Sequence, residues 1–369
     1  MIKSKKHIVF CTTSYFEYDR RVQRIITVLT KNGYSIAWFS RRYNNKSQDL
    51  PEIFHQKIST YFKSGVFFYL EINIKFFLKL LLSNADAICS IDNDTILACY
   101  YAAKFKRKRL IFDAHEIFHE VPELIDKPLK KWVWKNISKR YYPKIKSKYT
   151  VNESLKSVFK DEFNTEFKVI RNVPELQKSE TNRLSNLPNL ANKTIVYLGV
   201  LNEGRGIELA IKALLELKDY SLKLIGDGDL APVFKNLVKQ LNLESRVTFL
   251  GYLDPSDIYK ALATSSVGIN MLLFESLNYK LSLANKFFDY VHASLPSVNM
   301  NYPEYKKIND EYEVCELVDN YTVEDLTAGI KKLESESRYE EIQSNCHSAK
   351  QVFNWQKESQ YLLEIYDNI

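Results

Sequence analysis

Three polar residues that could bind a nucleotide lie in one short segment, residues 282–295. The apolar residues of this segment recur at helical intervals and predict one buried helix face: Phe287, Phe288, Val291 and Leu295. Ser282 is predicted to cap the start of this helix. Asn285, Lys286 and Asp289 are then expected to lie off the apolar face, within the first two turns.

The chemistry of these three positions suits a nucleoside diphosphate. A helix N-terminus attracts anions because its first N–H groups are unpaired and its dipole is positive there. Lys286 would add a full positive charge, and the carboxylate of Asp289 would accept hydrogen bonds from a ribose diol. The alternative is a surface helix with an incidental Lys/Asp pair.

Glycines mark two further turns that could approach a phosphate. The segment Gly-Val-Leu-Asn-Glu-Gly-Arg-Gly, residues 199–206, joins a predicted strand to a predicted helix. Gly199 and Gly204 would let the backbone come close to the phosphate, and Arg205 would grip it with a planar guanidinium. Gly226 begins a second turn of the same kind, Gly-Asp-Gly, after the next strand. A plain strand-to-helix turn is the alternative for both.

His115 begins the sequence His-Glu-Ile-Phe-His, which matches the H-E-x-x-H signature of zinc proteases. That chemistry needs both histidines one turn apart in a helix. Here the segment directly follows a strand, and Val121-Pro122 disfavours a helix beyond it. We therefore interpret His115 as a residue at the carboxyl end of a strand, which either faces a ligand or has a structural role.

Asp92 and Asp94 also follow an apolar strand. A D-x-D pair of this kind could hold a divalent metal together with a nucleotide sugar, as in single-domain sugar transferases. That interpretation would place the nucleotide in the first half of the chain and leave the glycine turns of the second half unexplained. We therefore predict no metal site.

Composition indicates an ordinary soluble globular protein of 369 residues, with 45% hydrophobic and 26% charged residues. No signal peptide is recognised, and the apolar residues 66–82 are interrupted by three charges, so no membrane span is expected. The five cysteines are far apart without a C-x-x-C motif, which favours reduced thiols and a cytoplasmic location.

Charge is distributed unevenly along the chain. Residues 1–180 contain 33 Lys and Arg against 19 Asp and Glu, a net charge of +14, whereas the remainder carries −7. Residues 127–148 concentrate the basic residues and interleave them with Trp132, Trp134, Tyr141 and Tyr142. Such a mixture suits an anionic membrane surface, so a peripheral position at the inner face of the cell membrane is an expectation. A solvated helix face is the alternative, and no nucleic-acid-binding module is recognisable.

Alternating strands and helices predict two successive doubly wound, Rossmann-like α/β domains. The predicted strands are residues 7–11, 35–39, 87–91, 109–112, 149–151 and 167–170 in the first half, and 194–198, 221–225, 247–250 and 267–271 in the second. The pattern pauses at residues 176–190, whose composition is that of a linker. We assign residues 1–176 to the first domain, 177–350 to the second and 351–369 to a terminal helix. In such folds ligands bind beyond the carboxyl ends of the strands, so the cleft between two facing domains is the expected site.

The order of these motifs resembles a GT-B-fold glycosyltransferase, closest to the retaining family 4 (group 1), over nearly the whole chain. The similar segments of the first half are Asp19-Arg-Arg-Val22, Asp113-Ala-His-Glu116 and Val169-Ile-Arg-Asn-Val-Pro174. Those of the second half are the two glycine turns, Phe249-Leu-Gly-Tyr252, Leu283-Ala-Asn-Lys-Phe-Phe-Asp-Tyr290 and Phe353-Asn-Trp355.

The resemblance implies a nucleotide-sugar donor held by the second domain and a saccharide or lipid-linked acceptor held by the first. Arg205 and Lys286 would bind the diphosphate, Asp289 the ribose, and backbone groups near Tyr252 the base. His115 would lie near the transferred sugar. The final helix would cross back to the first domain. Family 4 enzymes transfer with retention and need no metal, so no cofactor is expected beyond the donor itself.

Two departures from the family pattern bear on function. The family often has two glutamates eight residues apart, whereas this chain has Leu281 and Asp289 at those positions, and Glu275 lies upstream. The usual glycine-rich turn after the first strand is also missing, since residues 11–15 contain no glycine.

We predict a glycosyltransferase of surface polysaccharide or glycolipid synthesis. A GT-B-fold nucleotide-sugar epimerase and a non-catalytic binding subunit are the alternatives.

Overall fold

The computed structural model describes residues 6–14, 19–42, 53–121, 124–176 and 187–368. The chain divides into two compact units. The first comprises Met1–Asn172 and Glu358–Ile369, and the second comprises Val173–Lys357.

The first unit is built on a parallel sheet of seven strands in the order β3-β2-β1-β4-β5-β6-β7. These strands are β1 His7–Thr12, β2 Ser35–Arg41, β3 Phe54–Ile58, β4 Ala87–Ile91, β5 Arg109–Ala114, β6 Ser147–Thr150 and β7 Lys168–Val169. The strand order reverses between β1 and β4, which is the point where α/β sheets open a ligand crevice. Polar residues that follow β1, β4 and β5 are therefore placed close together.

The helices of the first unit connect its strands. They are α1 Arg20–Lys31, α2 Gly65–Leu82, α3 Ile96–Lys106, α4 Pro128–Tyr141 and α5 Glu153–Phe163. Helix α1 begins where the side chain of Asp19 accepts a hydrogen bond from the N–H of Val22. Helix α2 turns Phe68, Ile72 and Phe76 toward the sheet at intervals of one helical turn.

A buried ion pair joins α1 to β5. Arg21 donates from Nη2 to Asp113 Oδ1 at 2.9 Å and from Nε to Asp113 Oδ2 at 3.2 Å. Its remaining nitrogen donates to the carbonyl of Ile170 at 2.7 Å. Burial alone would raise the pKa of Asp113, but Arg21 and His115 outweigh that effect and lower the pKa to about 2. The bidentate geometry offsets the cost of burying both charges.

The last helix, α14 Trp355–Asp367, begins in the second unit, and its residues from Glu358 onward belong to the first. Glu358 accepts hydrogen bonds from the backbone and the side chain of Arg171. The ring of Tyr366 stacks on Phe10, and its hydroxyl lies 3.1 Å from that of Tyr149. These contacts fix the end of the chain within the first unit.

The second unit is a parallel sheet of six strands in the order β10-β9-β8-β11-β12-β13. Its strands are β8 Thr194–Leu198, β9 Ser221–Ile225, β10 Val247–Gly251, β11 Val267–Asn270, β12 Ser297–Met300 and β13 Glu316–Val318. The strand order reverses between β8 and β11. The turn after β8, which carries Gly199, therefore lies at the expected crevice of this sheet.

The helices of the second unit fill the connections between its strands. They are α6 Ile207–Ala213, α7 Ala231–Gln240, α8 Pro255–Ala263, α9 Leu277–Lys280, α10 Asn285–Ala293, α11 Pro303–Tyr312, α12 Val323–Lys332 and α13 Glu336–Lys350. Helix α10 buries Phe287, Phe288 and Val291, as its apolar spacing predicts. The predicted cap is wrong, since α10 begins after Ala284. The hydroxyl of Ser282 instead donates to the carbonyl of Tyr279.

Two parallel Rossmann-like sheets confirm the predicted fold class. The short edge strands β3 and β13 are additions to the predicted pattern, as are β12 and α9. Most of the predicted linker, residues 177–186, lies outside the described residues. Among the helices that are described, none is both long and apolar enough to cross a lipid bilayer.

The aromatic residues of the basic segment at residues 127–148 differ in how far they are exposed. Trp132 is 64% exposed, whereas Tyr141 and Tyr142 are buried. The ring of Trp134 packs against Tyr69, with the ring centroids 5.0 Å apart. The expectation of four interfacial aromatics is therefore wrong for the two tyrosines, because both complete the core of the first unit.

Replacing Arg21 by Met would leave the Asp113 carboxylate buried without its bidentate partner. We expect the free energy of unfolding of the full chain to fall by about 3–5 kcal/mol in urea denaturation. Arg20→Met, at the exposed neighbouring position, is the control and should change it by less than about 0.5 kcal/mol. Equal effects of the two substitutions would contradict the structural role of the pair.

Candidate active site

The turn after β8 and the turn after β9 touch through their backbones. The N–H of Gly199 donates to the carbonyl of Ile225 at 2.9 Å, and that of Leu201 donates to the carbonyl of Asp227 at 3.0 Å. Gly226 has a φ of +123°, and a Cβ atom there would lie 2.0 Å from the carbonyl oxygen of Gly199. Gly199 itself has a φ of +141°. Only glycine fits both positions, so the two predicted turns form one structure.

Lys286 extends from the first turn of α10 to this pair of turns. Its amine lies 3.7 Å from the centroid of the Tyr197 ring and 3.5 Å from where a Cβ on Gly199 would stand. It is buried and has no hydrogen-bond partner among the described residues. Burial, and secondarily repulsion by Arg205, lower the pKa of Lys286 well below its usual range. A buried amine of this kind gains both its proton and its partner when an anion binds.

Arg205 lies in the same turn region and contributes a positive charge. Its guanidinium carbon is 4.8 Å from the centroid of the Tyr279 ring, and its Nε has no hydrogen-bond partner among the described residues. Gly204 precedes it and is buried. Among the described residues neither Lys286 nor Arg205 has a carboxylate partner, and both lie beside glycine backbone, which suits an anion such as a diphosphate.

The burial of α10 corrects one expectation. Lys286 and Asp289 were expected off the apolar face and accessible, but both are buried. The helix is enclosed on that side because Lys286 packs against the β8 turn and the Tyr197 ring. Asn285, at the first helical position, is exposed.

The predicted base-binding residue lies next to the second glycine turn. The N–H of Gly226 donates to the carbonyl of Gly251 at 2.7 Å, which places Tyr252 at the same edge of the sheet. The side chain of Tyr252 is 64% exposed. Gly199, Gly204, Arg205, Gly226, Tyr252, Asn285, Lys286 and Asp289 thus all belong to the second unit, at or after the carboxyl ends of its strands or in α10.

The sequence analysis did not identify three aromatic residues of this site. Tyr197 lies under Lys286, Tyr279 under Arg205, and the hydroxyl of Tyr321 accepts a hydrogen bond from the N–H of Gly206. Tyr197 could have been found, because side chains two residues apart in a strand share one face and Gly199 follows two residues later. Nothing in the sequence pattern indicated the other two.

Glu275 also lies nearer to the site than its sequence position indicates. Its Oε2 is 3.8 Å from where a Cβ on Gly204 would stand. The short helix α9 follows Glu275 and ends before Leu281.

In the first unit, His115 lies between two carboxylates at the end of β5. Its Nε2 is 3.0 Å from Asp113 Oδ2, and its Nδ1 is 3.5 Å from Asp92 Oδ2. Its backbone N–H donates to Asp92 Oδ1 at 2.8 Å. Burial lowers the pKa of His115, but Asp113 and Asp92 outweigh this and raise it to about 10. His115 is therefore a cation at neutral pH and a hydrogen-bond donor, not a general base.

The Asp92-Asn-Asp94 segment is held by the protein itself. Asp92 contacts His115, and the Asp94 carboxylate accepts a hydrogen bond from the Thr13 hydroxyl. Burial, followed by the negative charge of Asp92, raises the pKa of Asp94 to about 7. Among the described residues, no three His, Cys, Asp or Glu side chains form a group suited to a metal ion.

The two histidines of the H-E-x-x-H sequence have different surroundings. Residues Phe118–Glu120 form a single 3-10 turn rather than a helix. His119 is buried, and its Nε2 lies 3.2 Å from Oε2 of Glu162. His115 instead contacts Asp113 and Asp92, so the two histidines face different carboxylates. The geometry that a zinc protease needs is therefore not formed by these residues.

Comparison with known proteins agrees with the geometry of the second unit. Residues 178–351 match the family described as "Glycosyl transferases group 1". The chain resembles a group 1 glycosyltransferase. One curated relative is an uncharacterized glycosyltransferase of Haemophilus influenzae, 27% identical over 146 residues, or 36% of this chain.

Another relative, from Campylobacter jejuni, is 35% identical over 97 residues, or 24% of this chain. It is named N-acetylgalactosamine-N,N'-diacetylbacillosaminyl-diphospho-undecaprenol 4-alpha-N-acetylgalactosaminyltransferase. The two alignments cover only 40% and 26% of these relatives' own lengths.

Structural similarity extends over the whole chain. The structure of Anabaena Alr3699/HepE in complex with UDP-glucose has a TM-score of 0.73 at 15% identity, covering 98% of this chain and 100% of that one. Similarity at that identity establishes the fold, and the fold is the GT-B type that the sequence predicts.

The unpartnered amine of Lys286 generates a prediction with opposite effects on stability and on binding. Lys286→Met removes a buried polar group without changing the shape of the side chain greatly, so the melting temperature without ligand should stay the same or rise. The affinity for UDP should fall about 10- to 100-fold, because a hydrogen bond to a charged group contributes about 1.5–3 kcal/mol. Thermal unfolding and calorimetric titration measure the two effects.

Lys239→Met, on the exposed surface of α7, is the matched control and should change neither quantity. A lower melting temperature with unchanged UDP affinity in Lys286→Met would show that Lys286 is a structural residue.

Proposed function

We propose that this protein transfers a sugar from a nucleoside diphosphate sugar to an acceptor hydroxyl, with retention, in the synthesis of a surface polysaccharide or glycolipid. The observation that carries the proposal is the buried, unpartnered amine of Lys286 beside the backbone of Gly199 and the guanidinium of Arg205. In the protein without ligand, a buried amine that lacks a hydrogen-bond partner costs free energy. Binding of an anionic ligand would remove that cost.

In this proposal the diphosphate lies against the glycine turns of the second unit. Lys286 and Arg205 bind its oxygens, and the glycine backbone at Gly199, beside the Lys286 amine, permits close approach. Asp289 accepts hydrogen bonds from the ribose, and the backbone near Tyr252 meets the base. The UDP-glucose bound to HepE supports a nucleotide-sugar donor.

The chemical step follows from where negative charge develops. As the bond between sugar and diphosphate breaks, charge grows on the departing phosphate, and two preorganised cations stabilise that charge more than they stabilise the bound donor. The resemblance to family 4 assigns His115 a position near the transferred sugar, where its protonated ring, held by Asp113 and Asp92, would contribute positive charge. Catalysis would thus come from positioning the bound donor and from neutralising the charge on the departing diphosphate. The proposal requires no metal or other cofactor.

The acceptor is proposed to be a saccharide or a lipid-linked saccharide that meets the first unit. The Campylobacter relative is named for transfer to a diphospho-undecaprenol glycan, which supports this class. All five cysteines are free thiols, which supports a cytoplasmic location.

Nucleotide binding is the direct test of the donor site. We expect UDP to raise the melting temperature of the protein equally in the presence of EDTA and of Mg²⁺ or Mn²⁺, because Arg205 and Lys286 supply the positive charge. Loss of the shift in EDTA, restored by a divalent ion, would instead favour metal binding at Asp92 and Asp94.

Incubation with UDP-glucose and no acceptor then separates three activities, as followed by chromatography of the products. Slow release of UDP supports a transferase. Conversion to another UDP-sugar without release would identify an epimerase, and binding without either reaction would identify a non-catalytic subunit.

We further propose that α4 rests on an anionic membrane surface. Leu129, Trp132 and Val133 are exposed large apolar residues of this helix, and Lys130 and Lys139 are exposed cations. Lys131 and Lys135 are engaged in ion pairs with Glu120 and Glu162, each at 3.0 Å. The exposed pair is therefore better placed than the ion-paired lysines to attract anionic head groups.

Reversing the charge of Lys130 and Lys139 together should reduce sedimentation with phosphatidylglycerol vesicles. Each basic residue near such a surface contributes about 1 kcal/mol, so the partition coefficient should fall at least about tenfold, and added salt should reduce binding of the parent protein similarly. Lys239→Glu with Lys331→Glu, an exposed pair in the second unit, is the charge-matched control. Equal sedimentation of the parent protein and the α4 variant would show that α4 is not the membrane-binding surface.

A further inference from the structure

Helix α2 exposes an apolar face that its own packing does not explain. It turns Phe68, Ile72, Phe76 and Leu80 into the core. On the opposite side its large apolar residues are between 50% and 83% exposed, namely Val66, Phe67, Leu70, Ile74, Leu78 and Leu82. These residues extend over all 18 residues of the helix, a length of about 27 Å. An exposed apolar surface of this extent usually marks a binding site.

A groove of about 640 Å³ runs between this face and α3. Its apolar walls are Leu70, Ile74 and Phe77 of α2, with Leu97, Tyr101 and Phe105 of α3. The volume lies within the range of sites for small molecules. The groove lies wholly within the first unit, and none of the residues assigned to the donor site belongs to it.

The polar groups of the groove are already used by the protein. Asn73 donates to the carbonyls of Tyr69 and Asp94 and accepts from the N–H of Ala98. The hydroxyl of Tyr101 is hydrogen-bonded to that of Tyr141 at 2.8 Å. The amide and the hydroxyl of these two side chains are therefore already hydrogen-bonded within the protein, and the rest of the lining apart from Lys104 is apolar, so the walls suit a hydrocarbon.

The charged side chains around the groove favour a ligand with a negative charge at its rim. The acid of α2, Glu71, is paired with Lys75 at 2.5 Å, and α3 contains no acidic residue. Lys104 lines the groove and is exposed, and Lys79 is exposed on α2. A second copy of the chain packed symmetrically on this face would bring like charges together, which disfavours a dimer.

We propose that the groove between α2 and α3 binds a hydrocarbon chain of an anionic membrane phospholipid, with Lys104 pairing with the head group. This site is separate from the surface of α4. It holds whether or not the protein transfers sugar, since no residue of the donor site takes part.

Vesicle binding tests the site with variants that should fold, because the altered side chains are exposed. Leu70→Gln with Phe105→Gln should lower the partition coefficient onto phosphatidylglycerol vesicles about tenfold or more, because two apolar side chains lose their burial in lipid. Lys104→Glu should lower binding to phosphatidylglycerol vesicles but not the weaker binding to phosphatidylcholine vesicles.

Leu215→Gln with Val233→Gln is the matched control, since these residues of the second unit are exposed to a similar degree, 49% and 55%. The control should bind vesicles as the parent does, and all three variants should keep the melting-temperature shift with UDP. Vesicle binding of the groove variant equal to that of the parent would overturn the proposal, whatever the outcome for UDP.

Chemical cross-linking then identifies the occupant. A phosphatidylglycerol with a photoactivatable diazirine in its acyl chain should form adducts with residues 65–82 and 96–106 of the full chain, mapped by mass spectrometry. Adducts confined to other segments would overturn the proposal. So would suppression of these adducts by a far lower concentration of undecaprenyl phosphate, which would assign the groove to a lipid-linked acceptor. A dimer in lipid-free buffer that Leu70→Gln with Phe105→Gln dissociates would assign it to a second copy.

Discussion

The candidate site of the second unit is built around one unfavourable arrangement, a buried amine that has no hydrogen-bond partner in the part of the chain that the structure describes. Lys286 is held over the Tyr197 ring, and its charged form is disfavoured by burial and by Arg205. Gly199 and Gly226 must both be glycine for the two turns to pack beside it. A fold that places a cation and bare backbone together in this way gives up stability without ligand and gains affinity for an anion.

The charged groups of the first unit follow the opposite principle. Arg21, Asp113, His115 and Asp92 form a continuous series in which each charge has an opposite partner. These pairs shift the pKa of Asp113 down and that of His115 up, so both groups stay ionised at neutral pH. The first unit thus presents a fixed, protonated imidazole, whereas the second presents a buried amine and a guanidinium that have no acidic partner among the described residues.

Much of the fold could be predicted because buried parallel strands are continuous apolar runs. Strands β4, β8 and β9 were predicted at the residues where the structure has them, and the glycines after β8 and β9 were recognised as turns. Strand β3, Phe54–Ile58, was missed because an edge strand carries polar residues and alternates weakly. Strand β13 is only three residues long.

The candidate site was predicted in its residue types but not in its environment. Helical spacing identified the face of α10 that meets the core, yet it could not show that the β8 turn covers Lys286 or that Asp289 is buried as well. Contacts between distant segments decide such burial, and the periodicity of one helix contains no information about them. The same limit applies to Tyr141 and Tyr142, whose sequence context indicated an interface and whose rings are buried.

Ligand binding is expected to raise the pKa of Lys286 so that the amine takes up a proton from solvent, and calorimetry measures that uptake. Because burial lowers the pKa of the free amine and a diphosphate would raise it, binding should take up a proton, and affinity should fall as pH rises above the lowered pKa. UDP-glucose should be titrated at a series of pH values below the usual pKa of a lysine amine, about 10.4, in two buffers of different ionisation enthalpy at each pH. The account predicts uptake of up to about one proton per ligand in the parent protein and none in Lys286→Met. Binding enthalpies that are independent of the buffer in the parent protein, or equal proton uptake in both proteins, would contradict it.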